Sequence, residues 1–377
     1  MSIKMKEAQN VRAAYAISRN HFCIALHELR ADDPFSIILE YDGNFPQPWS
    51  RIEVKRNISG ITARPDGTAE NNPFVAVSDE GDIYFIDAGV PTEKIPGAGI
   101  YSEDADGSGS ITGISYIDGQ LFAFGAGGQL YKRDSNASWQ RVQIGDAVVA
   151  HQGRFSALMK SETEELYAVG TIVPRYWRTP EDIEKAQLEA AAAGDLKRFE
   201  ELNAQAERWA KDQGFEKVST GFLMVQKDDE WKRLETGTDD ELRDIFIDSP
   251  QQIWAVGGSG VILKGNLADG FRNVAFHGDK DKSLLSITRF NGQIVIASGY
   301  ALHWFDGHIL SPLKPVLDAS INRNVPTPLK IQAVDDVLYY FDYKHGVHTF
   351  DGERWTNIAI PPELLERDFK GLPKTKQ

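Results

Sequence analysis

The sequence predicts an all-β protein, a seven-bladed β-propeller of four-stranded antiparallel blades, with an α-helical hairpin inserted in blade 4. Three observations lead to this prediction. The chain contains a repeat, its strand-type segments are separated by tight turns, and one segment has a contrasting helical character. Four short strands per repeat, at a period of roughly 40 to 50 residues, are typical of propeller blades.

The repeat is clearest in three segments: GQLFAFGAGGQLYKRDSNASWQRV, QIWAVGGSGVILKGNLADGFRNV and VLYYFDYKHGVHTFDGERWTNI. Each contains a short apolar strand, a glycine turn, a second strand, a polar turn and a third strand that begins at an aromatic residue. The first apolar residue of the leading strand marks each unit, at Phe22, Phe74, Leu121, Leu166, Ile253, Ile294 and Leu338. Successive markers lie 52, 47, 45, 87, 41 and 44 residues apart, and another β-type run precedes most of them. Seven units therefore predict seven blades.

Turn residues agree with this assignment. Asp-Gly pairs separate the third and fourth strands at Asp42-Gly43, Asp269-Gly270, Asp306-Gly307 and Asp351-Gly352. We expect positive φ at both residues of these pairs, as in the hairpin turns that favour Asp-Gly. The glycine-rich segments FGAGGQL and VGGSGVI are followed by strands and lack the Walker pattern, so they indicate hairpin turns rather than phosphate-binding loops.

The spacing of 87 reflects an insertion, residues 179 to 214, between the second and third strands of blade 4. Thr179 can cap a first helix that begins near Pro180, and Gly194 ends it. Asp195 can cap a second helix that ends near Gly214, and its apolar residues follow one helical stripe. We predict a single propeller over residues 11–362, the helical hairpin at 180–213, and a polar C-terminal tail at 363–377.

The core motif W-A-V-G-x-x-G-x-I, from Trp254 to Ile262, is followed by an aromatic residue that opens the last strand. This pattern resembles the repeat of the BNR/YVTN/WD40-like β-propeller superfamily. The resemblance implies the propeller fold over nearly the whole chain. It rests on the blade repeat, because the Asp-box and the Trp-Asp pairs of the named subfamilies are absent.

The chain has 377 residues and a formal net charge of −14. This charge argues against proteins that bind nucleic acid or anionic membranes, and favours a protein partner with a basic surface. The single cysteine, Cys23, excludes an internal disulfide bond and a cysteine-based zinc site, and its strand HFCIAL indicates a core residue. The N-terminal segment lacks an apolar signal-peptide core, and no run approaches a membrane span, so we expect a cytoplasmic protein.

In an antiparallel blade, the loops between the second and third strands share one end with the connections between blades. We call this end the top face and the opposite end the bottom face. Two sets of residues on the top face are candidates for partner binding. The hairpin contributes Phe199 and Trp209. The alternative to partner binding is that these two side chains pack inside the hairpin or against the ring. The acid-rich connections contribute Glu103, Asp104, Asp106, Asp239, Asp240 and Glu241, for which a solvated acidic rim is the alternative.

Catalytic motifs are missing from the sequence, which has neither a G-x-S-x-G elbow nor the Arg-Ile-Pro signature of sialidases. Residues 104–109 match the opening of a calcium loop, but Ser115 stands where the loop needs its twelfth-position glutamate. His345 and His348 flank a turn, and strand alternation would point their rings to opposite faces. We therefore assign no catalytic, cofactor-binding or metal-binding residue, and we expect no cofactor.

These observations favour a non-enzymatic cytoplasmic scaffold that binds a protein through its acidic top face and helical hairpin. Among such scaffolds, an immunity-type protein that neutralises a basic toxin domain fits the charge and the missing catalytic motifs. The alternative is a propeller hydrolase or lyase with a carboxylate-lined site, with or without a metal ion, at the central channel. A cluster of coupled carboxylates at the channel mouth would favour this alternative.

Overall fold

The computed structural model describes residues 9–28, 34–64, 72–86, 93–173, 180–193, 195–212, 219–275, 282–316 and 325–366. Within these residues, 28 strands form seven four-stranded sheets, and each sheet consists of four strands that are consecutive along the chain. All strand pairs are antiparallel. The predicted seven-bladed propeller of four-stranded antiparallel blades is confirmed.

The first four blades have the following strands. Blade 1 contains β1 (Gln9–Ser18), β2 (His21–Glu28), β3 (Ser36–Asp42) and β4 (Trp49–Val54). Blade 2 contains β5 (Ile58–Ala63), β6 (Phe74–Ser78), β7 (Asp82–Phe85) and β8 (Glu93–Lys94). Blade 3 contains β9 (Ile111–Ile117), β10 (Gln120–Gly125), β11 (Leu130–Arg133) and β12 (Trp139–Arg141). Blade 4 contains β13 (Gly153–Lys160), β14 (Leu166–Ile172), β15 (Thr220–Lys227) and β16 (Glu230–Leu234).

The last three blades complete the ring. Blade 5 contains β17 (Leu242–Ser249), β18 (Gln252–Gly257), β19 (Ile262–Asn266) and β20 (Gly270–Asn273). Blade 6 contains β21 (Leu284–Phe290), β22 (Gln293–Ser298), β23 (Ala301–Phe305) and β24 (Leu310–Leu313). Blade 7 contains β25 (Pro328–Val334), β26 (Val337–Asp342), β27 (Gly346–Phe350) and β28 (Trp355–Ile358).

The seven repeat markers all lie in second strands, and each of their side chains is buried. The second and third strands of each blade face a neighbouring blade on both sides, so their apolar residues form the contacts between blades. One such core contains Phe22 and Leu39 of blade 1 together with Tyr339 and Phe341 of blade 7. Each blade buries apolar residues against its neighbours, and for this reason the same apolar pattern recurs in every repeat of the sequence.

The ring closes between blade 7 and blade 1 without an exchanged strand. The side-chain amide of Gln332 on β25 bonds both backbone groups of Ala16 on β1, accepting from its N–H at 3.0 Å and donating to its carbonyl at 2.8 Å. The Tyr339 hydroxyl donates to the carbonyl of Arg19 at 2.8 Å. These side chains thus form hydrogen bonds between blades 7 and 1. In a ring closed by a strand from the other end of the chain, the backbone of that strand would form such bonds.

The Asp-Gly turns differ from the expected conformation. Gly270, Gly307 and Gly352 have positive φ, but the aspartates before them do not. In the turn at Asp306, the carboxylate accepts hydrogen bonds from the backbone N–H groups of His308 and Ile309, both at 2.8 Å. The expectation of positive φ at both residues was wrong because these aspartates stabilise the turn through their side chains.

Three α-helices are present in the described residues. The short helix α1 (Ala147–Gln152) lies in the connection from blade 3 to blade 4, and Asp146 caps it. Helices α2 (Glu181–Ala192) and α3 (Leu196–Asp212) follow β14 and precede β15 along the chain. They pack against each other through the buried side chains of Ile183, Ala190, Leu202 and Ala206.

The predicted caps of these helices are partly visible. Asp195 accepts a hydrogen bond from the backbone N–H of Arg198 at 3.0 Å, as expected of an N-cap. Pro180 immediately precedes the first residue of α2. The predicted roles of Thr179, Gly194 and Gly214 fall outside the described residues.

The domain limits in the structure differ slightly from those predicted. Strand β1 begins at Gln9, two residues before the predicted start. At the other end, a short 3-10 helix spans Pro362–Leu365, and Leu364 is buried in the core between blades 7 and 1. The carbonyl of Leu364 accepts a hydrogen bond from Arg51 at 2.8 Å. The apolar side chain of Leu364 thus belongs to the ring rather than to a polar tail, whose residues from 367 onward are outside the described part.

Removal of the helical segment should leave the ring folded. Ile172 of β14 and Thr220 of β15 are directly paired, so a short Gly/Ser turn from Val173 to Ser219 can replace residues 174–218. We expect a loss of helical circular dichroism and a urea-unfolding transition as cooperative as that of the full chain. Insoluble or non-cooperatively unfolding protein would show that the helices are needed to stabilise the ring.

Candidate functional site

The top face is built from two kinds of loop that bond to each other. The backbone N–H of Gly258, after the second strand of blade 5, donates to the carbonyl of Glu241 in the preceding connection at 2.9 Å. Two further bonds join a second-to-third strand loop to the first residue of the next blade's first strand: the Gly128 N–H donates to the Gly153 carbonyl at 2.7 Å, and the Ile111 N–H donates to the Asp79 carbonyl at 2.8 Å. These bonds hold the connections between blades against the second-to-third strand loops, as the antiparallel order requires.

Three predicted acids lie in the connection from blade 2 to blade 3. Glu103 is exposed, whereas the Asp104 carboxylate accepts a hydrogen bond from the backbone N–H of Gly97 at 3.1 Å. Asp106 accepts from the N–H of Ser108 at 2.9 Å and forms an ion pair with Arg141. Burial alone would raise the pKa of Asp106, but the bonds from Ser108 and the Arg141 guanidinium lower its pKa overall. These hydrogen bonds and this ion pair, all within the chain, order the segment that resembles the opening of a calcium loop.

The other three predicted acids lie in the connection from blade 4 to blade 5. Asp239 is exposed. The Asp240 carboxylate accepts a hydrogen bond from the Thr238 hydroxyl at 3.0 Å. Glu241 forms an ion pair with Arg243. The six predicted acids thus share one face, but Asp106 and Glu241 are neutralised locally, so Glu103 and Asp239 are the most accessible negative charges among them.

The helical residues have mixed environments. Phe199 is half-buried and packs on the core between α2 and α3. Trp209 is half-buried on α3. Two apolar side chains that sequence reasoning did not select are more exposed: Leu188 at 67% and Leu196 at 75%.

The top face also carries exposed apolar residues that sequence reasoning missed. Those in the ring are Ile100, Tyr101, Val148, Tyr300, Val316 and Val325. Tyr101 is 87% exposed and Tyr300 is 75% exposed. A usable signal was present for Tyr101, because an aromatic residue in the turn-rich segment GIYSEDADGSG has no strand alternation to bury it. Exposed aromatic residues of this kind are enriched where proteins bind proteins.

The central channel has a volume of about 740 Å³ and is lined by the first strands of all seven blades. In every blade, one residue in the first half of the first strand is skipped in the pairing register, which is a β-bulge. These skipped residues are Arg12, Ser59, Thr112, Ser156, Arg243, Leu285 and Leu329, and all of them line the channel. Blades 1 and 5 have a second skipped residue near the other end of the strand, Ile17 and Asp248. No sequence pattern predicts this ring of bulges, because the skipped residues range from arginine to leucine.

The acids of the channel lining in the described residues are Asp118 and Asp244. They lie near opposite ends of their strands, since Asp118 follows β9 and Asp244 is near the start of β17. Asp244 accepts hydrogen bonds from the Ser286 hydroxyl at 2.8 Å and the Ile287 N–H at 3.0 Å. Burial raises the pKa of Asp244 and lowers the pKa of Lys330, whose ammonium also lies in the channel. The two carboxylates are too far apart along the channel to form the coupled pair that the enzymatic alternative predicts.

The remaining candidate chemical groups are buried. His348 is fully buried on β27 and its ring stacks on that of Tyr340, with 5.5 Å between centroids. Cys23 is fully buried, and burial raises the pKa of its thiol. In the described part of the chain, no three His, Cys, Asp or Glu side chains are grouped so that they could hold a metal ion. The helices in this part are also too short or too polar to cross a membrane.

Comparison with known proteins gives one curated relative and several structural neighbours. No family model matches the chain. The immune protein Tsi7 of Pseudomonas aeruginosa is 23% identical over 288 residues, which cover 74% of this chain and 73% of Tsi7.

Two solved structures illustrate the structural similarity. The WD40 β-propeller domain of Doa1 matches 93% of this chain with a TM-score of 0.56 and 11% identity, over 95% of its own length. YCF48 bound to D1 peptide also matches 93% of this chain, with a TM-score of 0.55 and 13% identity, over 96% of its own length. The chain is a seven-bladed β-propeller with the fold of the WD40 and YCF48 propellers.

Proposed function

We propose that this chain is a cytoplasmic immunity-type protein that binds and neutralises a basic toxin domain, without an enzymatic activity of its own. The observation that carries the proposal is its similarity to the immune protein Tsi7, which extends over about three quarters of both chains. An alignment of that length includes most of the ring rather than a single blade. Sequence similarity that spans several blades supports a shared role better than the fold alone, because propellers serve many functions.

Electrostatics supports a basic partner. The chain has a net charge of −14, and Glu103, Asp104 and Asp239 are exposed on the top face. Negative charge on a binding surface speeds association with a cationic protein and selects against acidic partners. Asp106 and Glu241 would act mainly by holding their connections in place, because an arginine within the chain already pairs with each carboxylate. Asp240 is half-buried and accepts a hydrogen bond from Thr238.

The helical hairpin, at residues 180–213 between the second and third strands of blade 4, supplies a second part of the proposed surface. Its exposed Leu188 and Leu196 offer apolar area, and half-buried Trp209 could add to it upon contact. Phe199 instead stabilises the helix pair. Surface additions to a rigid scaffold commonly carry binding functions.

The enzymatic alternative has weaker support. Its expected site is a group of coupled carboxylates at the channel mouth, and the channel acids Asp118 and Asp244 lie far apart along their strands. Asp244 is also engaged by Ser286 and Ile287. A scaffold needs no such pair, so the observed lining is compatible with the proposed function.

A co-expression experiment tests the proposal. If a gene adjacent to this one encodes a basic domain, that candidate toxin domain would be expressed in bacteria with and without this chain. We expect killing by the domain alone, and survival restored by several orders of magnitude when this chain is present. An unrelated acidic propeller serves as the control. Equal killing with and without this chain, at verified expression of both proteins, would contradict the proposed function.

A further inference from the structure

Tyr101 is the most exposed large apolar side chain among the described residues, at 87%, and its neighbour Ile100 is 49% exposed. Both lie at the tip of the connection from blade 2 to blade 3, which we call the Tyr101 loop (residues 95–110). An aromatic side chain left in solvent has an unfavourable contact with water that a partner can remove. The backbone that carries this side chain is ordered by contacts within the chain.

The backbone around Tyr101 is bound to a single buried carboxylate. Glu80, between β6 and β7, is 9% exposed. Its Oε2 accepts hydrogen bonds from the N–H groups of Ile100 at 3.1 Å, Tyr101 at 2.9 Å and Ser102 at 3.1 Å, and from the Ser102 hydroxyl at 3.2 Å. Charge-assisted bonds of this kind are roughly twice as strong as neutral ones. Three consecutive backbone donors on one oxygen hold the tip of the loop in a defined conformation.

Other contacts reinforce this arrangement. Lys94 donates to the Ser102 hydroxyl at 2.8 Å and to the carbonyl of Glu80. Gly99 has a φ of +98°, and a Cβ at this position would lie 2.5 Å from the Glu80 carboxylate, so only glycine permits the close approach. The base of the loop is closed by a bridge between Gly99 and Gly109. The loop is therefore ordered by bonds made during folding, and not by a partner.

An exposed aromatic residue on an ordered backbone is well suited to be a binding anchor. A flexible loop loses conformational entropy when it is ordered on binding, and this loss weakens affinity. A loop that is already ordered avoids this loss. Tyrosine is enriched among the residues that dominate interface energies, because it contributes a large contact area with few rotatable bonds. Tyr300, also on the top face, follows a single glycine turn between β22 and β23, and no comparable carboxylate contact is present there among the described residues.

The charges beside Tyr101 indicate the chemistry of the partner. Glu103 and Asp104 are exposed two and three residues further along the same loop. A pocket that accepts the ring would therefore be apolar inside and bordered by lysine or arginine. We propose that Tyr101, held in position by Glu80, is the main anchor for the basic toxin domain and inserts into such a pocket. This inference rests on the proposed function and names the contact that dominates it.

Binding measurements with matched variants test the anchor. The probe is the purified basic domain that this chain protects against in the co-expression experiment, in a form inactivated by mutation, and the readout is calorimetric affinity. We expect Tyr101→Ala to weaken binding by 30-fold or more, roughly the loss seen for hot-spot residues. Tyr300→Ala removes a tyrosine of similar exposure from the same face and should weaken binding by no more than about threefold, the effect typical of residues outside a hot spot.

The outcomes separate the two proposals. If the wild-type chain binds the domain and Tyr101→Ala binds equally well, the anchor is wrong and the proposed function stands. If the wild-type chain does not bind the domain, both are wrong. A loss of affinity for Tyr300→Ala that equals the loss for Tyr101→Ala would also overturn the assignment of a main anchor.

Hydrogen exchange tests the rigidity of the loop without a partner. In the wild-type chain, the amides of Ile100, Tyr101 and Ser102 should exchange at least 10-fold more slowly than in an unstructured peptide, although the loop is exposed. Glu80→Gln should accelerate their exchange, because the neutral amide oxygen is a weaker acceptor than a carboxylate oxygen and the amide NH2 cannot accept a hydrogen bond. Exchange at the unstructured rate in the wild-type chain would contradict the proposed rigidity.

Discussion

Substitution of Asp342 by alanine should lower the free energy of unfolding by about 4 kcal/mol, because several buried donors would lose their acceptor. Asp342 ends β26 and is fully buried. Its carboxylate accepts from the N–H and hydroxyl of Thr327 at 2.8 and 2.6 Å, and from the N–H groups of Lys344 and His345, both at 2.8 Å. The Tyr340 hydroxyl donates to the same carboxylate.

Two of the donors, the Tyr340 hydroxyl and the His345 N–H, are buried together with Asp342 and would be left without an acceptor. Burial raises the pKa of Tyr340, and the neighbouring carboxylate raises it further, so the hydroxyl keeps its proton and remains a donor. Thr327 belongs to the connection from blade 6 to blade 7, whereas Lys344 and His345 belong to the turn between β26 and β27. One carboxylate thus holds together two loops of the top face.

Urea unfolding of the variants measures the effect. Asp351→Ala is the matched control in the same blade, since Asp351 is exposed and accepts from the N–H groups of Glu353 and Arg354 at 2.8 Å. It should lower stability by about 1 kcal/mol or less, as expected for an exposed turn. Equal losses for the two variants would show that burial of Asp342 does not govern its contribution.

The architecture was predictable because its determinants are local and repeated. Markers such as Phe22, Leu121 and Ile253 are buried in second strands, and the contacts between blades impose the same apolar pattern on every unit. Seven repetitions make the pattern visible although each blade alone gives a weak signal. The helical insertion was predicted from the same repeat, because residues 179 to 214 interrupt the period and their apolar stripe differs from strand alternation.

The state of the top-face acids was not predictable, because it depends on contacts between distant residues. Asp106 is paired with Arg141, which is 35 residues away and on the last strand of blade 3. Glu80 orders a loop 20 residues further along the chain. Nothing in the residues adjacent to Asp106 distinguishes it from exposed Glu103. Sequence reasoning could therefore predict which connections of the top face contain acids, but not which of their carboxylates already have a partner within the chain.

Reversal of the two most accessible acids should slow association with the candidate toxin domain. Glu103→Lys combined with Asp239→Lys changes the net charge from −14 to −10 at exposed positions of the top face. We expect the association rate constant at low salt to fall by about 10-fold or more, with a smaller change in the dissociation rate, because such charges act mainly on encounter. Stopped-flow fluorescence at several salt concentrations measures both.

A matched variant separates local charge from total charge. Glu162 lies in the turn between β13 and β14 and Glu353 in the turn between β27 and β28, so both are exposed on the bottom face. Changing both to lysine also gives a net charge of −10. If the top face guides the partner, this control should slow association by only about twofold and keep the steep salt dependence of the wild-type chain. Equal slowing by both variants would mean that the partner responds to the net charge of the ring and that the top face has no special role in its approach.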